Sequence, residues 1–192
     1  ESARNMKTLD LLLHEYVEHL TSLRYSRETI RKTRANLQAL VEWMRVKAGI
    51  QMPDQLSPEY IRRWHAHVLR LRTAKGQPCK AVTINRHIIS ARQWLGHLAK
   101  LGLASPKLEE ALPYLREPRT LPGSVLSHEQ MVELVHGVPT DTTEGYRNRT
   151  MLEVLYTSGV RSAEILGLDL EHVDLKNGAM MVTGKGEKQR VV

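Results

Sequence analysis

Apolar residues recur at three- and four-residue intervals through most of the first hundred positions, the spacing that places side chains on one face of a helix. Leu9, Leu12, Leu13, Tyr16, Val17 and Leu20 mark a first helix over about 7–21. A second is expected after Ser26, placed as its N-cap, and runs to about Lys47 with Ile30, Leu37, Leu40, Val41 and Met44 inward. "SPEY" opens a third, with Ser57 as cap and Pro58 at the first helical position, continuing to about Leu71. The fourth, over about 81–101, directs Ile84, Ile88, Ile89, Trp94, Leu95 and Leu98 to a core. Trp43, Trp64 and Trp94 all fall at helical spacing with Leu or Ile and are assigned to that core rather than to base stacking.

The pattern then changes. Residues 104–126 contain Pro106, Pro113, Pro118 and Pro122, which no continuous helix tolerates, and read as an interdomain linker. Helices resume at about 127–136 and 143–158, and a short one is expected around 161–168. "HVDLKNGAMMVTGKGEKQRVV" alternates as strand, Asn177-Gly178 turn, strand, Gly-Lys-Gly turn and a third strand. That strand breaks off at Val191 and Val192, so the chain is expected to be part of a longer polypeptide. Three segments follow: 1–103 helical, 104–126 linker, 127–192 mixed helix and strand.

Charge separates the halves further. Residues 24–100 carry sixteen Lys and Arg against Glu28, Glu42, Asp54 and Glu59, whereas the residues from Thr120 onward carry seven basic and ten acidic groups. A basic excess confined to one helical segment is the footprint of a polyanion binder. On the second helix Arg27, Arg31 and Arg34 form a stripe beside the apolar face. The fourth offers Thr83, Asn85, Arg86 and Arg92, and cations with an amide suit phosphates and base edges. No apolar run is long enough for a membrane span, the N-terminus has no leader core, and a cytoplasmic location is expected. Cys79 stands alone, with no partners at metal-ligand spacing, so no metal and no cofactor are expected.

"LYTSGVRSAEILGLDLEHVDL" followed by "VTGKGEKQRVV" resembles the first catalytic stretch of the tyrosine recombinases, the phage integrase family, in its Xer-like subgroup. "RYSRETIRKTRANLQALVEWM", "TINRHIISARQWLGHL" and "LPGSVLSHEQM" resemble the family's core-binding domain and its lead into the catalytic domain. The resemblance implies a mainly α, four-helix, SAM-like core-binding domain followed by a truncated α/β catalytic domain of helices and antiparallel strands. It implies that Arg161 binds the scissile phosphate, with Ile165, Leu166 and Leu168 packed beneath it. Lys185 on the hairpin would protonate the leaving 5′ hydroxyl, and Glu164 would support the arginine.

It also implies double-stranded DNA as partner, and for the complete protein a homo-oligomer, a dimer on one site and a tetramer in synapsis. The nucleophilic Tyr of such enzymes follows the lysine hairpin. Tyr146 and Tyr156 precede Arg161 and Tyr114 lies in the linker; Tyr156 is assigned to the core and none is promoted to nucleophile. This stretch is therefore expected to bind DNA without cutting it. Three other classes remain open: a non-catalytic DNA-binding regulator, a type IB topoisomerase-like enzyme, and a helical interaction domain without nucleic acid.

Overall fold

The computed structural model describes residues 7–118, 123, 125–184 and 186–192. The chain folds as two compact units, Glu1–Arg119 and Thr120–Val192. The first is helical: α1 (Leu9–Ser22), α2 (Arg27–Ala48), α3 (Pro58–Val68) and α4 (Ala81–Lys100). Hydroxyl caps start three of them, with Thr8, Ser26 and Ser57 each accepting from a backbone N–H of the first turn, at Leu11, Thr29 and Tyr60.

One core joins these helices. Leu12, Leu37, Leu40, Ile61, Trp64, Ile88, Trp94 and Leu98 are all buried in it. On α4 the core stripe is Ile84, Ile88, Ala91, Leu95 and Leu98; Ile89, expected inward, is 41% exposed. At about 100° per residue Ile89 lies about 140° around the helix from Ile84 and falls outside that stripe, whereas Trp94 at its edge is buried. Trp64 and Trp94 are fully buried, whereas Trp43 is half-buried at the core edge, its ring 6.0 Å from that of His67. Across the α2–α4 seam, Asn36 Nδ2 donates to Ser90 Oγ at 3.0 Å.

Helix α3 stops three residues short of the expected Leu71. There the backbone pairs across a local turn instead: Cys79 N donates to Leu71 O at 2.9 Å and Thr73 N to Gln77 O at 2.8 Å, with the Arg72 guanidinium on Gly76 O.

The segment expected as a free linker from 104 belongs to the helical unit. Pro106–Ala111 forms a 3-10 helix that buries Leu108 and, just beyond it, Leu112. Prolines bar an α-helix here but leave a short 3-10 turn open, and two leucines at i and i+4 give it a reason to dock. Pro122 lies outside the described residues.

The second unit comprises α5 (His128–His136), α6 (Thr143–Ser158), α7 (Ser162–Leu166), a 3-10 turn Leu170–His172 and three strands. Strands β1 (Val173–Asp174), β2 (Ala179–Thr183) and β3 (Gln189–Val191) form an antiparallel sheet in that order. Val173 pairs with Met180, and Val182 with Arg190. The β1–β2 turn is braced by Asp174, whose carboxylate accepts from Lys176 N, Asn177 N and Asn177 Nδ2. A reciprocal pair, Ser127 with Gln130, starts α5. Among the described residues of this unit only Val135, Val160, Glu164 and Val182 are buried. No helix among the described residues is long and apolar enough to cross a membrane.

In the helical unit the His97 and His19 rings lie 4.8 Å apart beside Tyr16. Burial, then His19 and Lys100, hold the His97 pKa below the ordinary histidine value of 6.5, and burial does the same at His87. Both imidazoles therefore fold neutral while the unfolded chain takes up protons more readily, so stability is greatest above the ordinary value and falls as pH drops below it. The melting temperature of the helical unit is expected to decline between about pH 7 and about pH 5, and less steeply in His97→Gln. Calorimetry against pH checks this, and identical slopes for both proteins would refute the assignment.

Candidate functional site: an arginine cluster and a basic helical face

Gly159 ends α6 with φ of 63°, a left-handed conformation that a side chain resists, and its N–H closes on Leu155 O at 3.1 Å. Val160 is then buried, and Arg161 becomes the N-cap of α7. The turn thus fixes the backbone of Arg161 while leaving its side chain 70% exposed.

Glu164 holds that guanidinium. Its Oε2 accepts from Arg161 N and its Oε1 from Arg161 Nη1, each at 2.8 Å. The same carboxylate takes a bidentate pair from Arg190 on β3, Nη1 to Oε1 at 2.8 Å and Nη2 to Oε2 at 2.7 Å. Its side chain is 2% exposed. Hydrogen bonds from Arg190, then from the Arg161 backbone, hold the Glu164 carboxyl far below the usual carboxylate range, so it is ionised at neutral pH. Gly184, at the end of β2, lies against this pair: a Cβ there would stand 2.8 Å from Glu164 Oε1 and 3.5 Å from Arg190 Nη1. The cluster is one anion between two cations, with Arg161 Nε and Nη2 making no protein hydrogen bond among the described residues.

Two expectations about this site need correction. Leu166 is 75% exposed, and Ile165 and Leu168 are only half-buried, so the apolar bed expected beneath Arg161 is replaced by the Glu164 carboxylate. A five-residue helix is too short to bury a stripe. Tyr156, assigned to the core, is 46% exposed, and its hydroxyl hydrogen-bonds His128 Nδ1 at 2.7 Å. Lys185 lies outside the described residues; its hairpin is closed by Gly184 N donating to Lys188 O at 2.8 Å. Arg190 was not singled out from the sequence. Its only signal there is position, a lone cation on a strand after the Gly-Lys-Gly turn.

In the helical unit Arg27, Arg31, Arg34 and Arg86 are exposed and Thr83 is half-buried. Arg31 forks onto Glu28, Nε to Oε2 and Nη2 to Oε1, both at 2.8 Å, and Lys32 adds a third bond at 2.9 Å. Those bonds bring the Glu28 pKa down to about 2, Arg31 contributing most. All three arginines of α2 are thus exposed, and Arg31 is already paired.

Asn85 and Arg92 serve the fold instead of a ligand face. Asn85 is 5% exposed; its amide donates to Leu115 O at 2.9 Å and Glu117 Oε1 at 2.7 Å and accepts from Leu115 N at 2.8 Å. Arg92 Nη1 donates to Glu109 O at 2.8 Å and Leu112 O at 3.0 Å, with its guanidinium 5.0 Å from the Tyr114 ring. Both residues fasten the proline-containing segment onto α4. Neither interaction is visible in a helical pattern, because the partners are backbone groups 17 to 30 residues away and the Glu117 carboxylate 32 residues away.

Asp169, Glu171 and His172 bring potential metal-ligand atoms within 4.8 Å of one another on an exposed turn, an arrangement common on surfaces that hold no ion.

Two family models match the chain in succession: the phage integrase N-terminal SAM-like domain over residues 13–101 and the phage integrase family over residues 124–192. The chain belongs to the phage integrase, or tyrosine recombinase, family. Tyrosine recombinase XerC of Xanthomonas axonopodis pv. citri is 35% identical over 184 residues, covering 91% of this chain and 59% of that protein. XerD of Pseudomonas aeruginosa is 40% identical over 118 residues, 60% of this chain and 39% of that protein. The chain thus spans little more than half the length of such curated relatives. Among solved structures, the Tn1549 transposon integrase in complex with circular intermediate DNA aligns with a TM-score of 0.61 at 17% identity, covering 97% of this chain and 59% of that one. At that identity the likeness shows the fold.

Replacing Asn85 by Ala removes the partner of the half-buried Leu115 N–H and C=O and is expected to cost about 1 kcal/mol of stability. Urea denaturation measures it. Duplex affinity of the folded variant should stay within about twofold of the parent, since loss of a base-edge contact would be worth about 1–3 kcal/mol.

Proposed function

We propose that this chain is the DNA-binding and phosphate-positioning portion of a site-specific tyrosine recombinase. The observation that carries the reading is the Arg161 guanidinium, fixed at a helix start by a buried carboxylate and free on its outer edge. A planar cation held in this way can donate to two phosphate oxygens with little reorganisation and stabilise the charge that grows on a phosphoryl group in the transition state. The four-helix unit would supply affinity: α2 carries Arg27, Arg31 and Arg34, and α4 carries Thr83 and Arg86, all within the segment of large basic excess.

In the complete protein a tyrosine oxygen attacks the scissile phosphorus, the bond to the 5′ oxygen breaks, and that oxygen takes a proton. The strand is left joined through a 3′-phosphotyrosine, which preserves a phosphodiester for rejoining. Lys185 is assigned the proton donation, and Arg161 the phosphate. No Tyr follows Arg161 within these 192 residues, so the chain as given binds DNA and does not cleave it. Double-stranded recombination-site DNA is the partner, and the complete protein acts as a dimer on each site and a tetramer in synapsis. Neither metal nor nucleotide is required by this chemistry.

Arg161→Ala in the complete protein should lower the rate of phosphotyrosine formation by about 100-fold or more while leaving site affinity nearly unchanged. Adduct accumulation on a nicked suicide substrate reads this out, and accumulation at the parental rate would remove Arg161 from the chemistry. Reversal of Arg27, Arg31 and Arg34 to Glu should weaken duplex binding and make its salt slope shallower by about 2 to 3, since each lost phosphate contact contributes about 0.9. Unchanged affinity across a salt series would take α2 off the DNA face.

A further inference from the structure

The cluster contains one more cation than its anion needs. Arg161 alone would suffice to hold Glu164, and the pair would then be neutral overall, its attraction for a phosphate largely cancelled by the adjacent carboxylate. Arg190 changes that balance. It reaches from β3 to both oxygens of Glu164 with bidentate geometry, while Arg161 Nη1 makes a single side-chain bond to the same group. Its own side chain is 39% exposed against 70% for Arg161, so the outward-facing cation of the cluster is Arg161. Gly184 leaves room for the carboxylate and the second guanidinium against the hairpin.

We propose that Arg190 is a positioning residue for Arg161: by neutralising the buried Glu164 it leaves the Arg161 guanidinium its full positive charge for a phosphate, and it ties the β2–β3 hairpin to α7. The inference rests on the reading of Arg161 as the phosphate-binding residue. It assigns three separate tasks. Glu164 orients, Arg190 compensates, and Arg161 binds. A purely structural Arg190 would need only to hold the hairpin; a compensating one has an electrostatic signature, because removing the carboxylate charge should make it dispensable.

The test uses the 192-residue chain, inorganic phosphate as probe, and the Arg161 Nε–Hε resonance as reporter. Arg190→Gln is expected to weaken phosphate binding at Arg161 about tenfold, the effect of one uncompensated neighbouring charge in a half-exposed site. Glu164→Gln combined with Arg190→Gln should bring affinity back to within about threefold of the parent, and Arg190→Lys, which keeps the charge, should hold it there as well. Cross-strand contacts between Val182 and residue 190 report whether each variant keeps its hairpin. Parental affinity in Arg190→Gln, or no recovery in the double variant with the hairpin intact, overturns the proposal. Should Arg190→Gln lose the hairpin, Arg190→Lys decides: loss of binding with the hairpin retained overturns it, and retained binding supports it. A parental chain whose Arg161 resonance ignores phosphate, while the helical unit still binds duplex, overturns the phosphate-site reading together with this inference.

Discussion

A carboxylate withdrawn from water must have counter-charge and donors for its lone pairs, or it drives its surroundings apart. Glu164 meets that condition with two guanidiniums and one backbone N–H, drawn from the start of α7 and from β3. The second unit has few other buried groups, Val135, Val160 and Val182 among the described residues, so the polar cluster takes a share of the organising role that apolar packing fills in the first unit. The same bonds that fasten the hairpin to α7 hold Arg161 in place. Stability of the scaffold and orientation of the candidate phosphate ligand therefore depend on one interaction.

The helical unit is organised differently. Its core is continuous through four helices, and the proline-containing segment after α4 is drawn onto it by Leu108 and Leu112 and then locked by Asn85 and Arg92. Two of the polar side chains on α4, Asn85 and Arg92, are engaged by backbone carbonyls of the following segment. Arg27, Arg31, Arg34 and Arg86 stay exposed, Arg31 among them paired with Glu28.

Membership in the tyrosine recombinase family follows from two successive domain matches and from relatives such as the Xanthomonas XerC protein. Those relatives are longer, and the chemistry assigned to the complete protein needs a nucleophile that this stretch does not contain. One unit carries the basic face, the other carries an oriented cation.

Most helix positions, the hydroxyl caps at Ser26 and Ser57, the hairpin turns at Asn177-Gly178 and beyond Gly184, and the segregation of charge were legible in the sequence, because each depends on neighbours within a few residues; the Thr8 cap and the early end of α3 were not. So was the motif Gly-x-Arg-x-x-Glu, whose Arg161 and Glu164 are three residues apart and meet across one helical turn. Tertiary structure decided what local spacing cannot encode. It paired Glu164 with Arg190 across 26 residues, brought Leu115 to Asn85 across 30, and made part of an expected linker into core. Periodicity reports which face of an element is apolar; it carries no information about which distant carbonyl or carboxylate a polar side chain will find once that face is buried.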